Sequence, residues 1–228
     1  MPRSDMRAVR ILPVLFLSAG CAAGVRNYPD PAGPRFAGSH AVARPPADRR
    51  LRVVTFNIKY GRHVDRATRL FREDPLAASA DVLLLQEMNH TAVSALSAAL
   101  ELDYVYFPGA YHPKGRADFG NAILSRWPLT DDRKVVLPHR GRFRKLQRVA
   151  VGATVLVPDR PVRVYSVHFE TPFSVSERQR RAQIAAVLAD ARDHPRVVIA
   201  GDFNSTGVAA DALRRPATPG SRRVWAAP

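Results

Sequence analysis

Short apolar runs with the character of β-strands recur from residue 51 onward. The first run, residues 51–58, is rich in β-branched and apolar side chains and is bounded by Gly61. Such runs, ended by turn-forming residues, are typical of buried strands. The same pattern predicts five further strands, at residues 81–86, 119–125, 149–157, 162–169 and 196–200. The turn at residues 158–161 (Pro-Asp-Arg-Pro) joins two of them as a hairpin-like pair.

Helical periodicity lies between these runs, at residues 92–100 and most clearly at residues 176–192. The second segment begins with Ser176 and Glu177, which are typical of a helix N-terminus. Its apolar residues fall on one face, and they are Ile184, Val187, Leu188 and Ala191. Strands mixed with surface helices predict an α/β (α+β) layered sandwich.

The N-terminus has the pattern of an export signal. Arg3, Arg7 and Arg10 precede a short apolar run at residues 11–17, and small residues then lead to Cys21. This pattern predicts a signal peptide over residues 1–21, and therefore an exported protein of the cell envelope or a secreted one. Cys21 resembles the lipid-acceptor cysteine of bacterial lipoproteins, which would tether the protein to a membrane. An uncleaved anchor or an incidental cysteine are the alternatives.

The remaining chain divides by composition into three parts. Residues 22–50 are rich in Pro, Ala, Gly and Arg without an apolar period, which predicts a disordered linker. Residues 51–206 form the predicted globular domain, and residues 207–228 a C-terminal tail. A chain of 228 residues has room for one sizeable domain.

Composition and charge narrow the classes of function. Apolar residues at 46% and charged residues at 24% exclude wholesale disorder. A formal net charge of +15 favours anionic partners such as nucleic acid, anionic lipid or phosphorylated small molecules. The basic stretch at residues 139–148 could approach a polyanion, or it could be a solvated loop. The pattern does not indicate an oligomeric state.

Polar residues stand at the ends of several predicted strands. Because strand ends gather at one rim of a sheet, such residues can share one cleft although they are distant in sequence. The residue types suit metal or phosphate chemistry. They are Asn57, Glu87, Asn121, His168, Asp202 and Asn204.

Each of these residues also has a plain structural interpretation. Glu87 follows an apolar run, where Mg²⁺ would compensate its charge, although a strand-end Glu can simply reach solvent. His168 could bond a phosphoryl oxygen or be a satisfied core histidine. Asp202 and Asn204 flank Phe203. In a strand this spacing points both polar groups the same way and the phenyl ring toward the core. Alternatively, the residues form an Asx-type turn.

Five motifs in order resemble those of the endonuclease/exonuclease/phosphatase family. The similarity extends from about residue 51 to about residue 205 and includes the helix at residues 177–183. The motifs are Thr55-Phe56-Asn57-Ile58, Leu85-Gln86-Glu87-Met88, Gly120-Asn121-Ala122-Ile123-Leu124-Ser125-Arg126, Val167-His168-Phe169 and Gly201-Asp202-Phe203-Asn204.

The resemblance implies a deoxyribonuclease-I-like fold, a four-layer sandwich of two packed mixed β-sheets flanked by helices. It also implies that Glu87, helped by Asn57, binds Mg²⁺ or Mn²⁺. The catalytic residues would be Asp202, which orients or deprotonates the attacking water, and His168, which stabilises charge on the phosphoryl oxygens. Asn121 and Asn204 would bind the substrate phosphate.

One expected motif is not found. Family members usually carry a Ser-Asp-His segment after Gly-Asp-Phe-Asn, and no histidine follows Asn204 here. The dipeptide Asp193-His194 is interpreted as a helix terminus. The resemblance therefore predicts a C-terminally incomplete member.

Two hypotheses of different class follow. One is a metal-dependent phosphoesterase that hydrolyses a phosphodiester or phosphomonoester of nucleic acid, a phospholipid headgroup or a small phosphate ester. The other is a catalytically impaired family remnant that binds phosphate-bearing ligands without turnover.

Overall fold

The computed structural model describes residues 24–42, 44 and 50–204 of the chain. The predicted signal peptide with Cys21 and the predicted tail at residues 207–228 lie outside these residues. Among the described residues, none of the helices combines the length and the apolar character that a membrane crossing needs.

The first β-sheet contains the N-terminal six strands in the order β1-β5-β6-β4-β3, with β2 also paired to β5. Strands β3 and β4 are parallel, and the other pairs are antiparallel. The strands are β1 (Arg26–Asn27), β2 (Phe36–Gly38), β3 (Val53–Asn57), β4 (Val82–Met88), β5 (Asp103–His112) and β6 (Ala117–Ser125).

The second sheet has the order β10-β9-β8-β7. Strands β9 and β10 are parallel, and β8 and β9 form the antiparallel pair predicted from the turn between them. The strands are β7 (Leu129–Val136), β8 (Val149–Val155), β9 (Val162–His168) and β10 (Val197–Asp202). Within the described residues the chain passes from the first sheet to the second once, at residues 126–128.

Four helices cover the outer faces of the two sheets. The first sheet is covered by α1 (Val64–Glu73), α2 (Pro75–Ala78) and α3 (His90–Leu100), and the second by α4 (Glu177–Ala191). Ser176 and Gln179 form a capping box at the start of α4, so the predicted beginning of this helix is confirmed.

Apolar side chains alternate between the two faces of each sheet. Val82 and Leu84 of β4 pack toward Val151 and Val164 of the second sheet. Their neighbours in β4 pack against α1 and α3 on the other face, and Ile184 and Val187 of α4 pack against β9. This arrangement confirms the predicted four-layer sandwich.

The segment at residues 24–42 corrects the linker prediction. Strands β1 and β2 pair with β5, so these residues are an ordered part of the first sheet. The buried Lys134 amine donates to the carbonyls of Tyr28 and Gly33, and burial lowers its pKa to about 8. The prediction failed because backbone pairing and polar contacts hold the segment, and neither produces an apolar period.

Candidate active site

Three predicted residues meet at one rim of the sandwich. Asn57, Asp202 and His168 end β3, β10 and β9. The Asn57 amide Nδ2 donates to Asp202 Oδ2 at 3.1 Å, and His168 Nε2 lies 3.6 Å from the same oxygen. Because β3 belongs to the first sheet and β9 and β10 to the second, the rim joins the two sheets at Asp202.

The backbone around Asp202 is fixed by close packing. Gly201 has φ of 150°, and a Cβ at this position would lie 2.0 Å from the Val167 carbonyl, so only glycine lets β10 approach β9 here. Asp202 Oδ1 then accepts from the backbone N–H of Asn204 at 3.0 Å, and the Phe203 ring packs 5.5 Å from that of Phe169. The Asx-type turn and the inward phenyl ring therefore occur together.

His168 is a neutral, buried donor. Burial first, and then the charge of Arg148, hold its pKa well below the usual value. Arg148 Nη1 donates to His168 Nδ1 at 3.0 Å, and an arginine cannot accept, so Nδ1 carries the lone pair. The proton is therefore assigned to Nε2, the nitrogen that faces Asp202.

Arg148 and Glu170 form an ion pair behind His168. Arg148 Nε donates to Glu170 Oε2 at 3.1 Å, both side chains are largely buried, and the guanidinium lies 5.6 Å above the Phe119 ring. Sequence reasoning missed this pair as part of the site. The local signal is weak: Arg148 directly precedes β8, and Glu170 follows shortly after the end of β9.

Glu87 stands beside Asn57 on the neighbouring strand. Its predecessor Gln86 is the register partner of Asn57. A bulge between Leu85 and Met88 gives Glu87 a left-handed φ of 56°, which redirects its side chain relative to the regular alternation of the strand. Among the described residues no group hydrogen-bonds the half-buried Glu87 carboxylate, which leaves its oxygens available to a cation.

Asn121 links the two sheets. It is 2% exposed, and its amide nitrogen donates to the carbonyls of Val149 and Ser166 at 2.9 and 3.1 Å. Both amide protons are thus used, so a bond to a phosphoryl oxygen would require one of them to be released. Asn204 donates one amide proton to the Phe169 carbonyl at 3.0 Å, and no described residue accepts the other. The phosphate contacts of both residues stay predictions.

The N-terminal half of α4 holds the loops around the rim. Arg180 donates to the carbonyls of Glu170, Phe203 and Asn204 at 2.6 to 2.9 Å. Gln183 accepts from the backbone N–H of Glu170 at 3.1 Å. These two side chains tie together the segments that follow β9 and β10.

The sequence profile of the Endonuclease/Exonuclease/phosphatase family matches residues 54–226. The chain belongs to this family. The family is generally hydrolytic and typically depends on a divalent metal. A search of curated proteins finds no significant match.

Solved structures of other family proteins share the fold. The human nocturnin catalytic domain, solved with a bound sulfate anion, has a TM-score of 0.55 at 21% identity over 76% of this chain and 69% of its own. A family protein from Bacteroides thetaiotaomicron has a TM-score of 0.57 at 17% identity, covering 72% and 68%. Sphingomyelinase C from Streptomyces griseocarneus has 0.56 at 19%, covering 72% and 67%. At these identities the likeness shows the fold.

The donor set at the rim suits one kind of metal site. Among residues 24–42, 44 and 50–204, no three His, Cys, Asp or Glu side chains converge to hold an ion. Glu87 offers a carboxylate that no described residue hydrogen-bonds, on the strand next to Asn57. A single carboxylate with amide oxygen fits Mg²⁺, which usually keeps several of its waters.

Proposed function

We propose that this chain is a metal-dependent phosphoesterase that hydrolyses a phosphodiester or phosphomonoester by Mg²⁺-assisted attack of water. The observation that carries the proposal is the contact of Asp202 with both Asn57 and His168 at a rim between the sheets. The family match supports hydrolysis of phosphate esters in general. The substrate class includes nucleic acid, phospholipid headgroups and small phosphate esters.

In this proposal Glu87 and Asn57 would hold Mg²⁺ or Mn²⁺. The bound ion would supply positive charge to neutralise the phosphoryl oxygens. Asn57 has two partners already, because its Oδ1 accepts from the Lys59 backbone N–H at 2.9 Å and its Nδ2 donates to Asp202. These bonds fix the direction of the amide, which orients its oxygen before a ligand arrives.

Asp202 is the proposed base. Its Oδ1 is committed to the Asn204 N–H, and its Oδ2 accepts from Asn57, so the carboxylate cannot rotate freely. A fixed, partly exposed carboxylate can accept a proton from a water placed against Oδ2. Asn204 has one amide proton that no described residue accepts, and it would donate this proton to a phosphoryl oxygen.

His168 is the proposed donor to the developing charge. Its Nε2–H faces the rim, and its low pKa keeps the imidazole neutral at pH 7. A neutral donor stabilises a phosphoryl oxygen without first binding a proton from solution. Arg148 and Glu170 hold the ring in this orientation from behind.

The test compares two glutamates in matched backbone conformations. Glu87 and Glu101 both have left-handed φ, 56° and 54°, and Glu101 is the exposed residue that ends α3. Hydrolysis of bis(p-nitrophenyl) phosphate and p-nitrophenyl phosphate is measured against Mg²⁺ concentration. We expect Glu87→Ala to remove Mg²⁺-dependent turnover and Glu101→Ala to retain it.

The alternative, a remnant that binds without turnover, gives a different result. It predicts phosphate binding to the wild-type protein, measured by calorimetry, with no hydrolysis of either ester at any Mg²⁺ or Mn²⁺ concentration. Turnover equal in wild type and Glu87→Ala would contradict the proposed metal site.

We also propose that the protein is exported and anchored through Cys21. The basic residues and apolar run before this cysteine support the proposal. Expression in a bacterium with a labelled fatty acid should label the wild-type protein and not Cys21→Ala. A full-length, unlabelled cytoplasmic product would contradict it.

A further inference from the structure

Two neighbouring loops carry the most exposed phenylalanines among the described residues. Phe143 is 76% exposed in the loop at residues 139–146, between β7 and β8. Phe173 is 85% exposed in the loop at residues 170–175, between β9 and α4. Removing such large apolar side chains from water would be favourable. We call these two segments the paired loops.

The paired loops are joined by a backbone hydrogen bond. The Arg142 N–H donates to the Ser174 carbonyl at 2.9 Å, and these residues immediately adjoin Phe143 and Phe173. A Cβ on Gly141 would lie 2.8 Å from Ser174 Oγ, so the two loops are in close contact. The two phenylalanines therefore belong to one surface.

This surface is strongly cationic. The loop at residues 139–146 contains no acidic residue. Its four basic side chains are exposed, and they are Arg140, Arg142, Arg144 and Lys145. The one acid of the other loop, Glu170, is buried and paired with Arg148 at 3.1 Å. None of the four forms an ion pair with another described residue. Exposed aromatic groups among such cations complement a surface that is both apolar and anionic.

We propose that the paired loops dock on an anionic lipid bilayer, with Phe143 and Phe173 inserted among the headgroups. The exposure of the rings favours a bilayer over single-stranded nucleic acid. A ring that stacks on bases is usually supported on one face and presents the other, whereas these rings are 76% and 85% exposed. Rings that stand away from the protein can enter an interface from all sides.

Docking would bring the candidate active site to the headgroup layer. Glu170 of the paired loops contacts Arg148, and Arg148 contacts His168 of the rim. The inference does not depend on the proposed hydrolysis, because binding is measured without turnover.

The experiment is co-sedimentation of the full chain with vesicles of phosphatidylcholine, alone or mixed with phosphatidylglycerol. We expect Phe143→Ala/Phe173→Ala to lower partition onto the mixed vesicles by about tenfold or more. The matched control is Val42→Ala/Leu76→Ala, whose side chains are 75% and 82% exposed on other segments. The N-terminal apolar run is the same in all variants, so their differences report the loops.

Charge is tested by Arg142→Gln/Lys145→Gln. This variant should bind the mixed vesicles less tightly than wild type, and added salt should reduce the difference. Equal vesicle binding by wild type and the double phenylalanine variant overturns the proposal. So does a result in which that variant loses binding to a single-stranded oligonucleotide and keeps its binding to vesicles, since the rings would then stack on bases.

Discussion

The imidazole of His168 lies between a cation and an anion, with Arg148 on one nitrogen and Asp202 near the other. The residue is 3% exposed. Burial, and then the charge of Arg148, lower the pKa of His168, so the ring stays neutral in the folded protein. Protonation of this residue is therefore coupled to unfolding.

The coupling predicts a loss of stability in acid. Below the unfolded pKa of about 6.5, the unfolded chain binds a proton at His168 that the folded chain does not bind. The free energy of unfolding should therefore fall as the pH drops below that value. Urea denaturation at several pH values checks this, and His168→Gln should flatten the dependence. The exposed His63→Gln is the control, and an equal slope in both variants would contradict the assignment.

Asp202 is predicted to matter for turnover more than for stability. Asp202→Asn keeps the shape of the side chain but removes the proposed base, so kcat should fall by about 10²- to 10⁴-fold. The exposed Asp193→Asn serves as the matched control for kcat. A kcat within a factor of about three of wild type, under saturating Mg²⁺, would exclude Asp202 as the base.

At the scale of elements, α4 contacts the segments after both β9 and β10 through Arg180. Arg180 is buried, and burial lowers its pKa although the guanidinium stays charged. Its bonds to three carbonyls hold the segments after β9 and β10 against each other. Hydrogen bonds from a charged donor contribute about 1.5–3 kcal/mol each.

Arg180→Gln should therefore destabilise the protein by about 2–4 kcal/mol and reduce kcat, because it leaves buried carbonyls unpaired. Chemical denaturation and steady-state kinetics measure the two effects. Arg178→Gln, an exposed change on the same helix, should alter neither. If the two variants were equally stable, Arg180 would not stabilise the contact between the segments that follow β9 and β10.

The elements that sequence could predict are those with a regular apolar pattern. Strands β4, β8 and β9 are buried runs, and α4 has a complete apolar face with a capping box. Strand β5 was not predicted, because Pro108 and Gly109 interrupt its run and a bulge follows. Strand β7 was not predicted either, since it is an edge strand with four consecutive charged residues, 131–134.

The candidate site was predictable only in part, for a related reason. Asn57, His168 and Asp202 each follow an apolar strand, and their convergence is found. Arg148 and Arg180 act through contacts with residues far along the chain or with backbone carbonyls. Such contacts depend on the packed fold and produce no local pattern.

At the scale of the molecule, a strap, residues 24–42, precedes the core strands of the first sheet and pairs with β5. Lys134 of the second sheet donates to two carbonyls of this strap, at Tyr28 and Gly33. Arg35 of the strap forms a two-bond ion pair with Asp132 at 2.6 and 2.8 Å. The strap is therefore attached to both sheets.

Lys134→Met should release the strap without unfolding the sandwich. Trypsin should then cleave after Arg26 or Arg35 faster than in wild type, because cleavage follows the opened population. Mass spectrometry identifies the sites. The control is Lys145→Met, an exposed position that keeps the backbone carbonyl to which Asn27 of the strap donates. An unchanged cleavage rate at Arg26 and Arg35 would show that pairing to β5 and the Arg35–Asp132 ion pair hold the strap without Lys134.

The passage between the sheets at residues 126–128 divides the molecule into two consecutive halves. Asn57 and Glu87 come before it, and His168 and Asp202 come after it. Two polypeptides separated between Trp127 and Pro128 would each contain one intact sheet and half of the proposed catalytic and metal-binding residues. When the two polypeptides are produced together, they should associate and recover hydrolysis that neither has alone. Turnover would then measure their association. Turnover by either piece in isolation would be incompatible with a rim shared between them.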